Sequence, residues 1–249
     1  MDFRGALTLL ADRAGVTLVF ENRGEKNEKD RLYQLLESAT AYFEKRLAER
    51  GDARGYLEGR GVRPDTITRF RLGFAPDDWH AVSVHLKSKG FTDGEIEKAG
   101  LSKRSEKGFY DRFRARIMFP LPDAAGRTVG FSGRIFGKED AVEAKYVNSP
   151  ETSLFLKSKL LFGYDKAKLA IRKENAAVVV EGQMDLILSH QAGTTHTVAV
   201  SGTALTDEHL TLLSRLSSTL LLAFDSDGAG FRAALRSAKS ALASGLEVK

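Results

Sequence analysis

Two apolar runs that end in acidic residues decide the fold of this chain: AAVVVEGQMD (residues 176–185) and TLLLAFDSDGAG (residues 219–230). Each run is short and is followed by a glycine turn and a helical pattern, which is typical of a parallel strand buried on both faces of an α/β sheet. Ligands bind beyond the carboxyl ends of such strands. Three carboxylates gathered there repel one another unless a cation joins them. We therefore predict a metal site with Glu181, Asp225 and Asp227 as ligands.

Asp185 stands on the first turn of the helix that follows Glu181. It could interact with the amino terminus of that helix or support the metal ligands, and the spacing leaves both interpretations open. The glycines after Asp225 and Asp227 would let a phosphate approach the backbone at a helix start. The pattern favours phosphotransfer of some kind.

The order of elements in the last third of the chain is βαβαβα. We predict strands over 177–180, 196–200 and 219–224, and helices over 183–192, 207–216 and 229–243. Right-handed crossovers then give a parallel sheet with helices on both faces, and residues 245–249 resemble the start of a fourth strand. The predicted fold class is α/β, with residues 176–249 as the parallel-sheet subdomain. A mixed α+β basic subdomain, residues 1–175, precedes it, helical over 1–101 and mixed over 102–175.

Composition narrows the chemistry. The chain has 249 residues and no cysteine, and its five histidines lack the spacing of a zinc site. A metal must therefore have oxygen ligands, which favours Mg²⁺ or Mn²⁺ and excludes a cysteine-based zinc site. No apolar run approaches the roughly 18 residues of a membrane span, and the amino terminus is charged. We expect a cytoplasmic protein without a membrane partner.

The net charge of +5 is unevenly distributed. Residues 102–175 hold 16 Lys/Arg against 9 Asp/Glu, whereas residues 176–249 hold 5 against 7. A basic middle beside an acidic end suits a protein that holds a polyanion on one surface and metal-bound phosphates on another. A solvated lysine-rich surface is the alternative.

The basic middle contains an arginine repeat of period two. If residues 111–120 form a strand, Arg112, Arg114 and Arg116 share one face and Phe113 the other. Like charges so close are costly unless anions lie between them, and guanidinium groups bind phosphates well. The pattern predicts a nucleic-acid-binding ridge, with a solvated edge strand as the alternative. Earlier in the chain we predict a charged linker over 21–30, then a helix with one apolar stripe over 30–49.

Several longer motifs carry a family resemblance. VEGQMD (180–185) and FDSDGAG (224–230) resemble the paired acidic motifs of the TOPRIM fold, shared by primases, topoisomerases and some nucleases. The upstream motifs are similar to the RNA polymerase domain of bacterial DnaG-type primases. These are YLEGRG (56–61), RLGFAP (71–76), RFRARIMFP (112–120), GFSGR (130–134), KYVNSPET (145–152) and SGTALT (201–206). The resemblance covers nearly all of the chain.

The resemblance implies a function and a set of site residues. The function would be template-directed synthesis of short RNA primers on single-stranded DNA from ribonucleoside triphosphates, through an RNA–DNA hybrid, by a two-metal nucleotidyltransferase. Glu181, Asp225 and Asp227 would hold the metal ions and act in catalysis with Asp185. In full-length members a further domain binds a replicative helicase. The positions that match template- or nucleotide-binding residues of the family are Arg60, Arg134, Lys145, Asn148 and Lys157.

Departures from the family pattern shape the remaining expectations. Gln183 stands where the family more often has an aromatic residue, and motifs of the zinc module, a later acidic segment and the helicase-binding domain are missing. We therefore expect a truncated catalytic core that makes primers weakly or not at all by itself. The alternatives are a non-catalytic single-stranded DNA-binding module and a part of another TOPRIM enzyme, such as a nuclease or topoisomerase.

Overall fold

The computed structural model describes residues 23–106, 108–137, 144–202 and 204–249, together with Ala6 and Leu10. The chain divides into two compact units, residues 1–31 and 32–249. All of the predicted site residues belong to the second unit. Among the described residues, no helix combines the length and the apolar character that a membrane crossing needs.

Helices predominate over residues 23–101, and most of the first 22 residues of the predicted helical region lie outside the described residues. The helices are α1 to α5, with bounds Arg23–Ala48, Gly51–Gly59, Pro64–Arg69, Ala81–Ser88 and Asp93–Lys98. Helix α1 begins at Arg23, so the predicted linker is wrong from residue 23 onward; Glu, Lys and Arg are good helix formers even without an apolar face. Further along α1 the predicted apolar stripe is buried, at Leu32, Leu35, Leu36, Ala39, Phe43 and Leu47.

An antiparallel sheet with strand order β1-β4-β5-β6 follows. Its strands are Gly73–Ala75, Arg116–Pro122, Thr128–Ile135 and Tyr146–Asn148. The central strands β4 and β5 form an antiparallel hairpin, with Ile117 opposite Arg134 and Phe119 opposite Ser132. A separate two-stranded hairpin joins β2 (Ser102–Ser105) to β3 (Gly108–Asp111).

The parallel sheet has the strand order β10-β9-β7-β8 and confirms the predicted α/β architecture. In chain order its elements are β7, α7, β8, α8, β9, α9 and β10, preceded by α6. Helices α6 to α9 are, in order, Tyr164–Glu174, Gln183–Gln191, Asp207–Ser214 and Gly228–Ala243. Strands β7 to β10 are, in order, Ala176–Val180, Thr197–Ala199, Thr219–Leu222 and Glu247–Val248. The predicted bounds differ from these by at most two residues. The short fourth strand also forms, parallel to β9.

The two sheets share one hydrophobic core. Phe119 and Val129 of the antiparallel sheet pack in the same cluster as Val180, Ile187 and Ala199 of the parallel sheet and its helix. Burying such side chains contributes about 1.5–3 kcal/mol each. The shared core holds the two sheets at a fixed relative position within residues 32–249.

The predicted arginine ridge is wrong as a strand face. Strand β4 begins only at Arg116, because Ala115 has a left-handed φ of +48° and interrupts the extended backbone. Phe136 N–H donates to the Ala115 carbonyl at 2.9 Å, which holds this turn in place. Arg116 is buried, whereas Arg112 and Arg114 are half-buried on the preceding turn. The three guanidinium groups therefore do not form one exposed row.

Candidate nucleotidyl-transfer cleft

Adjacent parallel strands bring two of the predicted acids together. Strand β7 pairs with β9, with Val179 opposite Leu222, so both carboxyl ends open at the same edge of the sheet. At that edge Glu181 Oε1 accepts a hydrogen bond from the Asp225 N–H at 3.1 Å. The side chain of one strand end thereby fixes the backbone of the other.

Gly230 makes this close approach possible. A Cβ atom at residue 230 would lie 2.2 Å from the Asp225 carbonyl oxygen and 2.9 Å from Glu181 Oε1. Such separations are well below van der Waals contact, so only glycine fits without moving the acidic loop. The close approach that Gly230 allows in this structure is that of the protein's own backbone and of Glu181. The predicted approach of a phosphate to this segment stays a prediction.

Asp227 has a different local role from that of Asp225. Its Oδ1 accepts hydrogen bonds from the N–H groups of Ala229 and Gly230, at 2.9 and 2.7 Å, and so caps the amino terminus of α9. An aspartate cap of this kind stabilises a helix by about 1 kcal/mol. Sequence spacing cannot distinguish a capping aspartate from a metal ligand at such a position.

A cleft of about 370 Å³ lies in front of the acidic edge. Its lining combines three carboxylates with three cationic side chains on the facing wall: Glu181, Asp185, Asp225, Arg60, Arg134 and Lys145. Asp227 is outside this lining. The structure thus brings Arg60, Arg134, Lys145 and Asn148 together with three of the four predicted catalytic acids.

The antiparallel sheet positions part of the basic wall, the side of the cleft lined by Arg60, Arg134 and Lys145. Arg134 on β5 stands opposite Tyr146 on β6, and its Nη1 donates to the Tyr146 hydroxyl at 3.1 Å. The same guanidinium lies 5.6 Å from the ring centroid of Tyr56, a distance at which cation–π attraction operates. Arg134 is therefore held in one orientation at the cleft.

Asn148 and Ser201 link the two sheets at the floor of the cleft. Asn148 Nδ2 donates to the Ser201 carbonyl at 3.0 Å, and Ser201 N–H donates to the Glu181 carbonyl at 3.2 Å. Ser201 has a left-handed φ of +52°. Within the described part of the chain, Asn148 Oδ1 and Ser201 Oγ are buried without a hydrogen-bond partner. Buried polar atoms without partners are rare in folded proteins, and these two line the cleft.

Ser201 also lines the cleft, and the sequence analysis did not select it as a candidate. It follows β8, the neighbour of β7, and so lies at the same carboxyl edge as Glu181. The strand-end argument that selected Glu181 and Asp225 would also have selected Ser201. The apolar run before Ser201 is short and is not followed by an acidic residue, so the search for carboxylates at strand ends did not select Ser201.

Gln183, the departure from the family pattern, has a structural explanation. Its side chain is buried, and Nε2 donates to the Ser132 hydroxyl at 3.0 Å. Ser132 lies on β5 and Gln183 is the first residue of α7. The hydrogen bond connects the two walls of the cleft directly behind the acidic edge.

Four predicted nucleic-acid-binding residues do not line the cleft: Arg112, Arg114, Arg116 and Lys157. Arg116 Nη1 donates to the carbonyls of Gly133, Ala144 and Lys145, at 3.2, 3.0 and 3.5 Å. Its guanidinium is therefore enclosed and supports the backbone at Lys145. Burial lowers the pKa of Arg112. Lys157 begins a 3₁₀ turn, Lys157–Lys159, that packs against α8.

The acidic edge has the chemistry of a hard-cation site. Glu181, Asp185 and Asp225 offer only oxygen donors, which suit Mg²⁺ or Mn²⁺. Among the residues that the structure describes, no three His, Cys, Asp or Glu side chains already form a group close enough to hold a metal ion. The donor types fit a divalent cation, and their side chains would have to converge on it.

Two family models match the chain: the DNA primase catalytic core N-terminal domain over residues 42–168, and the Toprim domain over residues 175–249. Together with a parallel sheet whose acidic edge faces a basic antiparallel sheet, these matches define a Toprim-containing nucleic-acid enzyme core. The chain belongs to the DnaG-type DNA primase catalytic core family. Membership implies that a divalent metal ion is used.

Three relatives illustrate the similarity. A DNA primase of Deinococcus radiodurans is 45% identical over 94% of this chain, which spans 40% of that protein. The RNA polymerase domain of Mycobacterium tuberculosis primase DnaG superposes with a TM-score of 0.79 at 41% identity, covering 84% of this chain and 71% of that one. A DnaG primase catalytic domain bound to single-stranded DNA gives a TM-score of 0.79 at 35% identity, covering 90% and 71%. The chain thus spans about two fifths of the length of the Deinococcus protein.

Proposed function

We propose that this chain carries the catalytic centre for template-directed synthesis of short RNA primers on single-stranded DNA. The observation that carries the proposal is the cleft in which Glu181 and Asp225, joined by a 3.1 Å hydrogen bond, face Arg60, Arg134 and Lys145. A nucleoside triphosphate would use both walls. Its phosphates would bind the cationic side chains of one wall and the metal ions held by the carboxylates of the other.

Glu181 and Asp225 would be the principal ligands of the divalent ion, with Asp185 close by on α7. We propose Mg²⁺, with Mn²⁺ able to replace it, since both prefer carboxylate oxygens. Such an ion, when bound, supplies Lewis-acid activation of the attacking 3′-hydroxyl and stabilises the leaving pyrophosphate. Asp227 Oδ1 is engaged in the α9 cap, so we place Asp227 second to Asp225 as a ligand.

The basic wall would bind the substrates. Arg134, fixed by Tyr146, and Lys145, whose backbone rests on Arg116, would contact the phosphates of an incoming ribonucleoside triphosphate or of the template. Arg60 extends the same wall. Asn148 and Ser201 each place at the cleft floor a buried oxygen that has no hydrogen-bond partner among the described residues, and a sugar or base could supply the missing donor. An RNA–DNA hybrid would be the product.

The boundary between the two proposed subdomains, residues 1–175 and 176–249, runs beside this cleft. One wall comes from β5 and β6 and the other from β7 and β9. We propose this division of the chain. Contact with a replicative helicase, which the family resemblance implies for full-length members, would lie outside this cleft.

A templated synthesis assay tests the proposal. The chain is incubated with single-stranded DNA, ribonucleoside triphosphates and Mg²⁺ or Mn²⁺, and labelled RNA is measured, in parallel with a version extended beyond Lys249 by the sequence of a relative. We expect Asp225→Asn to reduce synthesis at least about 100-fold, because the carboxylate would hold the metal ion that stabilises the charge developing in the transition state. Glu208→Gln, which removes an exposed carboxylate from α8, is the matched control and should leave synthesis unchanged.

The second candidate, a non-catalytic single-stranded DNA-binding module, is favoured by one observation. The described acids do not already converge into a group of three. Equal DNA binding by the parent chain and Asp225→Asn, with no synthesis by either chain or by the extended version, would support this alternative over the catalytic one.

A further inference from the structure

A second cavity, of about 220 Å³, is lined by the β4–β5 turn, the segment 153–161 and helices α6 and α8. Among the described residues, none lines both this cavity and the cleft. Most of its lining is apolar, with side chains that include Pro122, Val129, Leu154, Leu160, Tyr164 and Leu212. We call this cavity the Tyr164 pocket. The proposed catalysis does not use it.

Backbone and side-chain hydrogen bonds hold the walls of the pocket in place. Lys168 Nζ donates to the Ala124 carbonyl at 2.8 Å and so ties α6 to the β4–β5 turn. Phe162 N–H donates to the Ala199 carbonyl at 2.9 Å, which anchors the end of the segment 153–161 to β8. A pocket that is formed before its ligand arrives costs little ordering entropy on binding.

Two hydrogen-bond donors stand in this apolar lining. Lys159 is exposed, and its ammonium group makes no ion pair among the described residues. Tyr164 is half-buried, and burial raises the pKa of its hydroxyl, which therefore keeps its proton at neutral pH. Arg215 and Arg172 act electrostatically on the same hydroxyl. The potential at this side of the pocket is therefore positive.

The carboxylate of the lining is already neutralised. Asp123 Oδ2 accepts hydrogen bonds from Arg127 Nε and Nη2 at 3.0 and 2.8 Å, and its Oδ1 accepts the N–H groups of Ala125 and Arg127, both at 2.9 Å. Glu208, one turn before Leu212 on α8, lies outside the lining. Lys159 therefore carries the uncompensated charge of the described lining.

We propose that the Tyr164 pocket binds a small organic anion with an apolar body, of the class of the aromatic carboxylates. The apolar side chains would bury the body, and Lys159 and the Tyr164 hydroxyl would bind the carboxylate. A neutral ligand would gain the apolar contacts alone. A polyanion such as nucleic acid would gain the charge contact but could not use the apolar lining.

The size of the pocket limits the size of the ligand. Apolar cavities of about 150 Å³ bind a molecule as large as benzene. The Tyr164 pocket, at about 220 Å³, has room for one ring or two fused rings. Naphthalene derivatives are therefore suitable probes.

Equilibrium dialysis tests the proposal with two matched probes, 2-naphthoate and 2-naphthylmethanol, which have the same rings and differ in charge. The chain is dialysed against each probe at low salt, without nucleic acid, metal ions or nucleotides. We expect saturable binding of naphthoate at one site, at least about 5-fold tighter than that of naphthylmethanol. Lys159→Gln should weaken naphthoate binding at least about 5-fold and leave naphthylmethanol binding within about 2-fold. Lys159→Arg keeps the charge, so naphthoate binding should stay within about 3-fold.

Lys173→Gln is the control variant, since it removes a lysine of α6 that is 83% exposed and lies outside the pocket. It should bind naphthoate like the parent chain. Nuclear Overhauser effects between the protons of bound naphthoate and the Tyr164 ring should locate the ligand, and their absence would overturn the proposal. Equal affinity of the parent chain for the two probes, equal naphthoate affinity in Lys159→Gln, or no naphthoate binding would each overturn it as well. No primer is made in this experiment, so its outcome is independent of the catalytic proposal.

Discussion

Glu181 Oε1 accepts the backbone N–H of Asp225 at 3.1 Å, so the acid at the end of one strand holds the loop at the end of its neighbour. This contact makes the two acids a unit. It is possible only because Gly230 leaves room beside it, and it places both acids in the cleft that faces the basic wall.

Gly230→Ala should disturb this unit. The new Cβ would lie 2.2 Å from the Asp225 carbonyl oxygen, so the loop must move, and we expect a loss of about 1–3 kcal/mol in the free energy of unfolding together with weaker metal binding. Urea denaturation and Mn²⁺ titration measure the two effects. Gly228→Ala is the matched control, because its Cβ meets only the flexible end of Arg232 at 3.3 Å. Equal stability of the two variants would contradict the packing argument.

Much of this fold could be predicted from the pattern of apolar runs. The strands and helices of the parallel sheet follow from runs that end in Glu181 and Asp225, because burial on both faces demands such runs. The prediction of an arginine ridge was wrong because nothing in the sequence indicates the left-handed backbone conformation of Ala115. Alanine rarely adopts that conformation, and here hydrogen bonds from the surrounding backbone hold it. Asp227 shows a second limit of prediction from the sequence, because aspartate is typical both of helix caps and of metal sites.

The hydrogen bond between Gln183 and Ser132 should couple the two cleft walls energetically. Gln183→Leu leaves the Ser132 hydroxyl buried without this partner and should cost about 1–3 kcal/mol of stability. Ser132→Ala removes the other partner. In a double-mutant cycle measured by urea denaturation, the double variant should be less destabilised than the sum of the two single variants. Strict additivity would mean that the hydrogen bond does not connect the walls.

Arg116 should be essential for stability rather than for binding DNA directly. Arg116→Gln cannot reach the three carbonyls that the guanidinium satisfies, and we expect a loss of about 2 kcal/mol or more in the free energy of unfolding. Arg114→Gln, at a half-buried position on the surface, should lose less than about 1 kcal/mol. Thermal denaturation of both variants measures the difference. A larger loss of stability in Arg114→Gln than in Arg116→Gln would contradict the structural role given to Arg116.

Two buried histidines should make the protein less stable in acid. Burial lowers the pKa of both His190 and His209. Because the folded pKa lies below the unfolded value, the unfolded chain binds more protons as the pH falls below about 6.5, and stability drops by up to about 1.4 kcal/mol per pH unit for each histidine. This stability is fully present above that pH. Urea midpoints between pH 7 and pH 5 measure the slope.

His209→Gln measures how much His209 contributes to the dependence of stability on pH. His209 Nδ1 accepts the Thr206 N–H at 3.3 Å in a capping box, a role that glutamine also fills. The variant should keep the α8 cap and flatten the dependence of stability on pH. An unchanged slope in His209→Gln would show that His209 is not protonated on unfolding in this range.

The most direct test of the central claim is Mn²⁺ binding to the parent chain and to Asp225→Asn, Asp227→Asn and Glu208→Gln, followed by electron paramagnetic resonance. Asparagine preserves the α9 cap at residue 227, so both loop variants keep the local backbone. We predict that Asp225→Asn weakens Mn²⁺ binding at least about 10-fold, that Asp227→Asn weakens it less, and that Glu208→Gln leaves it unchanged. Equal Mn²⁺ affinity in the parent chain and Asp225→Asn would contradict a catalytic metal centre at the ends of β7 and β9.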